Sequence, residues 1–222
     1  MKISAVIPAH NEMRSVGEIV RCCMRYCDEV IVVDDGSTDG TGAVSEAAGA
    51  LVIRNRLNSG IVRSTEVGLR SASGDIIVTL DADGQHDPSE IPAIVQPIAQ
   101  DLADLVLGKR DDGRPLSERI ISHVTGLRIR CNDVGTGYRA FRKELAHNIR
   151  LWGFCLCGSL VLEAWRERAR IAEIPIRIRP RKFGKSHWAR PLSRGTTHCR
   201  QVILLMCELS ESARSSKASH VF

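Results

Sequence analysis

Three short polar stretches concentrate the side chains that hold cations and phosphorylated ligands: Pro8-Ala9-His10-Asn11-Glu12, Asp34-Asp35-Gly36-Ser37-Thr38-Asp39 and Asp81-Ala82-Asp83-Gly84-Gln85-His86. Asp81 and Asp83 stand two apart, and on extended backbone that spacing carries both carboxylates to one side. Gln85 offers a third oxygen. An oxygen-only set suits Mg2+ or Mn2+ rather than zinc, and a cation there relieves the repulsion between adjoining carboxylates while leaving coordination positions for phosphate oxygens. Asp34 and Asp39 also read as turn and cap residues. The chain has no G-x-x-x-x-G-K-[ST], no G-x-G-x-x-G after a strand and no G-x-S-x-G, so P-loop, dinucleotide and serine-hydrolase chemistry lose their support.

Each polar stretch follows a short apolar run. ISAVIP (3–8), EVIVV (29–33) and DIIVTL (75–80) predict buried strands. Between them, Val16, Ile19, Val20 and Cys23 recur at helical spacing, and Thr38 to Thr41 supplies caps for a helix reaching Ala48. Leu51 to Ile53 predicts a further strand, 60–72 a helix, 88–100 a Pro-led helix and Leu105 to Leu107 another strand. Strands alternating with helices predict an α/β fold: a Rossmann-like, mostly parallel central sheet with helices on both faces. Ligands of such sheets bind beyond the carboxyl ends of the strands, where the three polar stretches converge. After Gly108 the pattern predicts a loop over 109–115, a helix over 116–127, a strand over 137–142, a helix over 158–168 and a half-exposed strand over 171–178.

With 222 residues, 43% of them hydrophobic and 26% charged, the chain is long enough for one large core and reads as an ordinary globular protein. The longest apolar run near the C-terminus, Val202 to Cys207, stops at Glu208, well short of the ~20 residues a membrane span needs. The N-terminal apolar stretch is too short for a signal peptide, so a cytoplasmic location is expected. The net charge of +5 conceals a division: residues 1–108 carry 8 Lys and Arg against 16 Asp and Glu, and residues 166–200 carry 11 against 2. The basic segment suits anionic membrane or a phosphorylated ligand, whereas 4% aromatics leaves little material for base stacking and no nucleic-acid partner is expected. The eight cysteines include no C-x-x-C pair and read as reduced structural thiols; the spacing of Cys155, Cys157, His198 and Cys199 matches no compact zinc pattern.

With VIPAHNE at 6–12, EVIVVDDGSTDGT at 29–41, GDIIVTLDADGQHDP at 74–88, GKR at 108–110, DVGTGYRAF at 133–141 and EIPIRIRPRKFGKS at 173–186, the chain resembles the family 2 glycosyltransferases, most closely the dolichyl- or polyprenyl-phosphate hexose synthases. The resemblance implies a GT-A fold over 1–188, a nucleotide-sugar-binding half (1–110) followed by an acceptor-side half (111–188), with 189–222 as a C-terminal helix and loose tail. It implies transfer of a hexose, mannose or glucose, from a GDP-mannose or UDP-glucose type donor to dolichyl or polyprenyl phosphate, with inversion and with Mg2+ or Mn2+. Asp83 and Gln85 would hold the metal. Pro8, His10, Glu12, Val33, Asp35, Asp81, Ala82, Asp83, Arg110, Arg181 and His187 would bind the nucleotide sugar; Arg119, Ser122 and Arg139 would bind the acceptor phosphate. Asp83, Asp133, Arg110 and Arg181 would carry catalysis, and Asp133, Thr136, Gly137 and Arg139 match the D-x-x-[ST]-G-[FY]-R element. The chain departs from the pattern at His187, where a lysine is usual, and in a short 113–133 segment.

An anionic lipid phosphate needs no strong general base to act as nucleophile, which agrees with the missing activated Ser or Cys; a cation and basic side chains would stabilise the departing nucleoside diphosphate. The apolar stripe Val202, Ile203, Leu205, Met206 and Leu209 reads three ways: lying on a bilayer as a peripheral contact with the cytoplasmic face, packing on its own domain, or docking a small membrane-protein partner. Alternative functions are a sugar-nucleotide-binding module without turnover, a family 2 transferase with a non-lipid acceptor, and a sugar-1-phosphate nucleotidyltransferase, the last disfavoured by the missing Gly-rich basic loop after the first strand.

Overall fold

ISAVIP forms β1 (Ile3–Ala9), and the helically spaced apolar residues that follow form α1 (Met13–Cys23), with Val16, Ile19, Val20 and Cys23 buried. The computed structural model describes residues 1–111, 114–183 and 196–208. The alternation continues through β2 (Glu29–Asp34), α2 (Thr41–Ala47), β3 (Leu51–Arg54), α3 (Ile61–Ser71) and β4 (Ile76–Thr79). A 3-10 turn at Pro88–Glu90 leads into α4 (Ile91–Ala99) and β5 (Leu105–Arg110). The second part holds α5 (Leu116–Gly126), β6 (Arg139–Arg142), α6 (Lys143–Asn148), α7 (Ser159–Arg166) and β7 (Ile171–Ile176), and residues 196–208 are helical.

The seven strands form one sheet in the order β3-β2-β1-β4-β6-β5-β7. The β1–β2, β1–β4, β2–β3 and β5–β7 pairs are parallel. β6 alone runs against its neighbours, pairing antiparallel with β4 (Thr79 opposite Arg139) and with β5 (Leu107 opposite Arg139). This reversal places the start of β6, rather than its end, beside the carboxyl ends of β4 and β5. Arg139 thereby enters the same edge of the sheet as the acidic stretch after β4.

Two apolar layers cover the sheet. One packs α1 and α4 against Ala5, Ile7, Val32 and Val78; the other packs α3 and α7 against Val6, Ile31, Val33 and Ile77. The alternation of side chains along a strand sends neighbouring residues to opposite layers, which is why these strands are apolar throughout. At Gly68 on α3 a Cβ would run into Val6 of β1, so the glycine lets the helix lie directly on the sheet.

The helical stretch 196–208 buries Leu205 against the α7 layer and leaves Ile203 (61% exposed) and Met206 (58%) outside. Of the three readings of this stripe, packing on its own domain describes one face, and the outer face remains apolar and exposed. Among the described residues no helix is long and apolar enough to cross a membrane.

Candidate functional site

The turns after β1 and β2 are stitched together by their own polar side chains. Asn11, held at φ 55, donates its backbone amide to the Ser37 hydroxyl oxygen and accepts the Thr38 amide on its side-chain oxygen at 2.9 Å. Asp39 accepts from the amides of Met13 and Thr41, and Asp34 accepts from the Ser37 amide, so both do the work of turn and cap residues. His10 reaches the Asp35 carbonyl oxygen with Nδ1 at 2.8 Å.

Asp35 points the other way, into the loop after β3. Its Oδ1 accepts from Asn55 Nδ2, the Ser59 amide and the Ser59 hydroxyl, and its Oδ2 accepts from the Gly60 amide. Burial opposes its ionisation, but these four hydrogen bonds outweigh burial and hold the carboxyl at about 2. Such a group contributes stability above its unfolded pKa and loses it as the pH falls through the folded value. Asp35→Ala is therefore expected to cost about 2 kcal/mol at pH 7, an effect that fades in thermal melts as the pH is lowered from about 4 toward 2. Unchanged melting with weakened donor binding would instead place Asp35 in a nucleoside pocket. Val33 is fully buried in the α3 layer, and Ala82 is 3% exposed with its carbonyl taken by the Ser15 hydroxyl.

β4 delivers the acidic stretch to the rim of a cleft lined by Pro8, Asp81, Asp83, Gln85, Arg110, Thr136, Gly137 and Arg139. The 133–139 segment passes close over it: a Cβ on Gly137 would lie 2.5 Å from Asp81 Oδ1, so a larger residue there would have to displace the carboxylate. Arg181 bridges the cluster, pairing through Nη2 with Glu12 and through Nη1 with Asp83 Oδ2 at 3.1 Å. Even so, burial raises the pKa of Glu12, and burial together with the Asp81 charge raises that of Asp83. The cluster remains short of positive charge. Asp83, Gln85 and Asp81 present hard oxygen donors to that deficit, and their chemistry fits a divalent cation of the Mg2+ or Mn2+ type.

Arg110 and Asp133 belong to a second network. Asp133 is fully buried and receives the Arg110 amide, Arg110 Nε at 2.7 Å and Arg110 Nη2 at 2.7 Å, while Nη2 also reaches Glu118 at 2.8 Å. Burial works against the Arg110 cation, but these carboxylates raise its pKa further. Asp133, expected among the catalytic residues, thus spends its carboxylate on orienting Arg110 at the cleft wall. Arg119 and Ser122 do not join the cleft: they line a separate depression with His123 and Arg130, and the buried Ser122 hydroxyl accepts from the Val134 amide. His187 lies outside the described residues.

Arg139 is 2% exposed, forms no ion pair among the described residues, and has no hydrogen-bond partner on Nε. Burial lowers its pKa. Asp81 and Asp133 favour its charge only at a distance, and a buried guanidinium held in no ion pair is costly, a cost that an anionic ligand in the cleft it lines would repay. Sequence reasoning passed over His86, which is 4% exposed on the cleft floor and packed at a tilt of 33° against Tyr138 with ring centroids 5.1 Å apart. Its Nδ1 accepts from the Asp81 amide at 3.2 Å, and burial lowers its pKa against the pull of Asp81 and Asp83. The one signal available was its place in the stretch after β4.

The charge division of the sequence has a structural side. Arg179 pairs with Asp87, Lys182 with Glu18, and Arg170 with Asp101 and Asp104, so much of the basic segment meets the acidic half of its own chain.

The profile of Glycosyl transferase family 2 matches residues 4–162. A UDP-N-acetylglucosamine–dolichyl-phosphate N-acetylglucosaminyltransferase of Methanococcus voltae is 29% identical over 79% of this chain and 84% of its own. An undecaprenyl-phosphate 4-deoxy-4-formamido-L-arabinose transferase of Sodalis glossinidius is 32% identical over 85% of this chain, which spans 63% of that protein. The crystal structure of glucosyl-3-phosphoglycerate synthase from Mycobacterium tuberculosis with Mn2+, UDP and glucosyl-3-phosphoglycerate superposes with a TM-score of 0.75 at 24% identity, covering 93% of this chain and 79% of that one. The shared architecture is the GT-A fold.

Proposed function

We propose that this chain, which belongs to glycosyl transferase family 2, transfers a sugar from a nucleotide-sugar donor to a lipid-phosphate acceptor of the dolichyl or polyprenyl type, with inversion and with Mg2+ or Mn2+. The observation that carries this reading is the meeting, in one cleft, of a cation-deficient carboxylate set and the buried Arg139, which makes no ion pair among the described residues. One binds a cation and the other an anion, as two phosphorylated substrates require. The names of the two relatives, which specify lipid-phosphate acceptors, favour the same acceptor class here. They specify N-acetylglucosamine and a formamido-arabinose, so a mannose or glucose donor is one arm of the test among several.

Asp83 and Gln85 would hold the cation, which supplies Lewis-acid stabilisation of the departing nucleoside diphosphate. Pro8 and the joined turns after β1 and β2 form the nucleoside side of the cleft. Arg181 exchanges its carboxylate partners for diphosphate oxygens when the donor enters, and Arg110, fixed by Asp133, adds a second positive charge at the wall. Arg139 anchors the acceptor phosphate, whose oxygen attacks the anomeric carbon from the face opposite the leaving group. In this reading residues 1–188 form the transferase unit and 189–222 an appended segment. Peripheral binding to the cytoplasmic face of a membrane is supported by exposed apolar side chains on two adjoining helices, Leu116 (70% exposed) and Ile120 (46%) on α5 and Ile203 and Met206 on the C-terminal stretch.

A screen of GDP-mannose, UDP-glucose and UDP-N-acetylglucosamine with polyprenyl phosphate in vesicles and Mg2+ or Mn2+ tests the reading. One donor should yield glycolipid, EDTA should abolish the product, and Arg139→Ala should raise the KM for the lipid by ten-fold or more, about 1.4 kcal/mol. Donor binding without transfer to any phosphate acceptor would point to the non-catalytic module.

A further inference from the structure

Cys155 and Cys157 precede α7, and His198 stands forty-one residues beyond Cys157 on the helical stretch 196–208, yet a sulfur of each cysteine and a ring nitrogen of the histidine all lie within 4.8 Å of one another. The Cys157 thiol contacts both the Cys155 thiol and the His198 ring. Cys155 and His198 are buried, Cys157 is half-buried, and Cys199, next in sequence to His198, is exposed and outside the group. A tetrahedral zinc ion with Zn–S near 2.3 Å and Zn–N near 2.0 Å sets its ligand atoms about 3.5–3.8 Å apart, so this triad needs only a small contraction.

The surroundings are those of a ligand set. His198 Nδ1 is engaged by the Ser117 hydroxyl at 2.8 Å, which orients the ring. The Cys157 amide donates to Cys155 Sγ at 3.3 Å, which fixes that sulfur toward the group. The three side chains also line the cleft that holds Asp83, so a cation bound to them would keep one coordination position toward that space.

We infer that Cys155, Cys157 and His198 form a three-ligand site for a thiophilic divalent cation, Zn2+ above all, separate from the oxygen donors Asp83 and Gln85. Bound there, the ion clips the 196–208 helix to the segment before α7 and so fixes one wall of the cleft. The site differs in chemistry from the proposed Mg2+ or Mn2+ position: two soft sulfurs and an imidazole select against the hard cations that carboxylates prefer.

Cobalt titration of the full chain, reduced and freed of metal, tests this without donor or acceptor. One equivalent of Co2+ should produce a thiolate-to-cobalt charge-transfer band and the intense visible bands of a tetrahedral ion, both abolished by Zn2+. The Cys155→Ser/Cys157→Ser variant should lose the bands, Ser117→Ala should weaken binding by about 10–100-fold, and Asp83→Ala should leave them unchanged. Circular dichroism establishes that each variant is folded, and Ser117→Ala tests the site even if the double variant is not. No cobalt uptake by the reduced protein, or thiolate bands that survive the double substitution, overturns the inference. Loss of the bands in Asp83→Ala would do so too, because the ion would then sit at the carboxylates. Transferase activity enters none of these readouts, so the two proposals fail independently.

Discussion

Asp83→Asn is expected to lower turnover by about 10³-fold, the several kcal/mol of leaving-group stabilisation that a bound cation supplies, while leaving the melting temperature of the ligand-free protein unchanged or raised. The second half of that result follows from the charge balance. Asp83 is partly buried beside Asp81, and Arg181 does not fully offset the cost, so its pKa stands above the ordinary value. A raised carboxyl contributes stability below its unfolded pKa and loses it as the pH rises through the folded one. The ligand-free protein should therefore lose stability across that interval, and Mn2+ should restore it. A neutral amide removes the repulsion but also the anionic ligand. Initial rates, calorimetric Mn2+ titration and melting curves at several pH values check each part. Full activity in the variant would remove Asp83 from the metal site, and a large fall in melting temperature would make it a structural anchor.

Arg110→Ala should cost about 3–5 kcal/mol of stability, because it strands the fully buried Asp133 and uncouples Glu118. In a chain of this length that corresponds to a melting temperature lower by roughly 6–20 °C. Burial works against the Asp133 charge, but the Arg110 hydrogen bonds and charge win and hold the carboxyl below its ordinary range. Its contribution is present above the unfolded carboxylate pKa and is lost as the pH falls below it, so wild type and variant should converge in acid. Replacing both partners with apolar residues of similar volume should recover most of the loss, since it removes the unpaired charge as well as the pair. A single Arg110→Ala variant as stable as the wild type would show that water replaces the guanidinium and that the network carries little energy.

Local pattern sufficed for much of this molecule. The apolar runs at 3–8, 29–33 and 75–80 are buried strands because a parallel strand covered on both faces tolerates few polar side chains, and their polar ends lie at the carboxyl edge of the sheet, where open α/β sheets bind ligands. From that alone came the fold class, the convergence of the three acidic stretches and the oxygen character of the Asp81, Asp83 and Gln85 set. The GT-A fold and the family follow the same signals.

Tertiary structure decided which of these groups have chemistry to spare. Asp35 and Asp83 look alike in sequence, each an Asp just past a strand. Yet Asp35 is saturated by the 55–60 loop, and Asp83 remains in a cluster short of positive charge. Arg110 and Arg139 look alike too, but one is clamped by Asp133 and Glu118, and the other is buried with no ion pair among the described residues and no partner on Nε. The antiparallel insertion of β6, the passage of Gly137 over Asp81 and the meeting of Cys155, Cys157 and His198 each join residues dozens of positions apart. Periodicity records which face of its own element a residue occupies. Whether the charge on that residue finds a partner depends on a side chain from a distant element, and only the closed fold brings the two within hydrogen-bond reach.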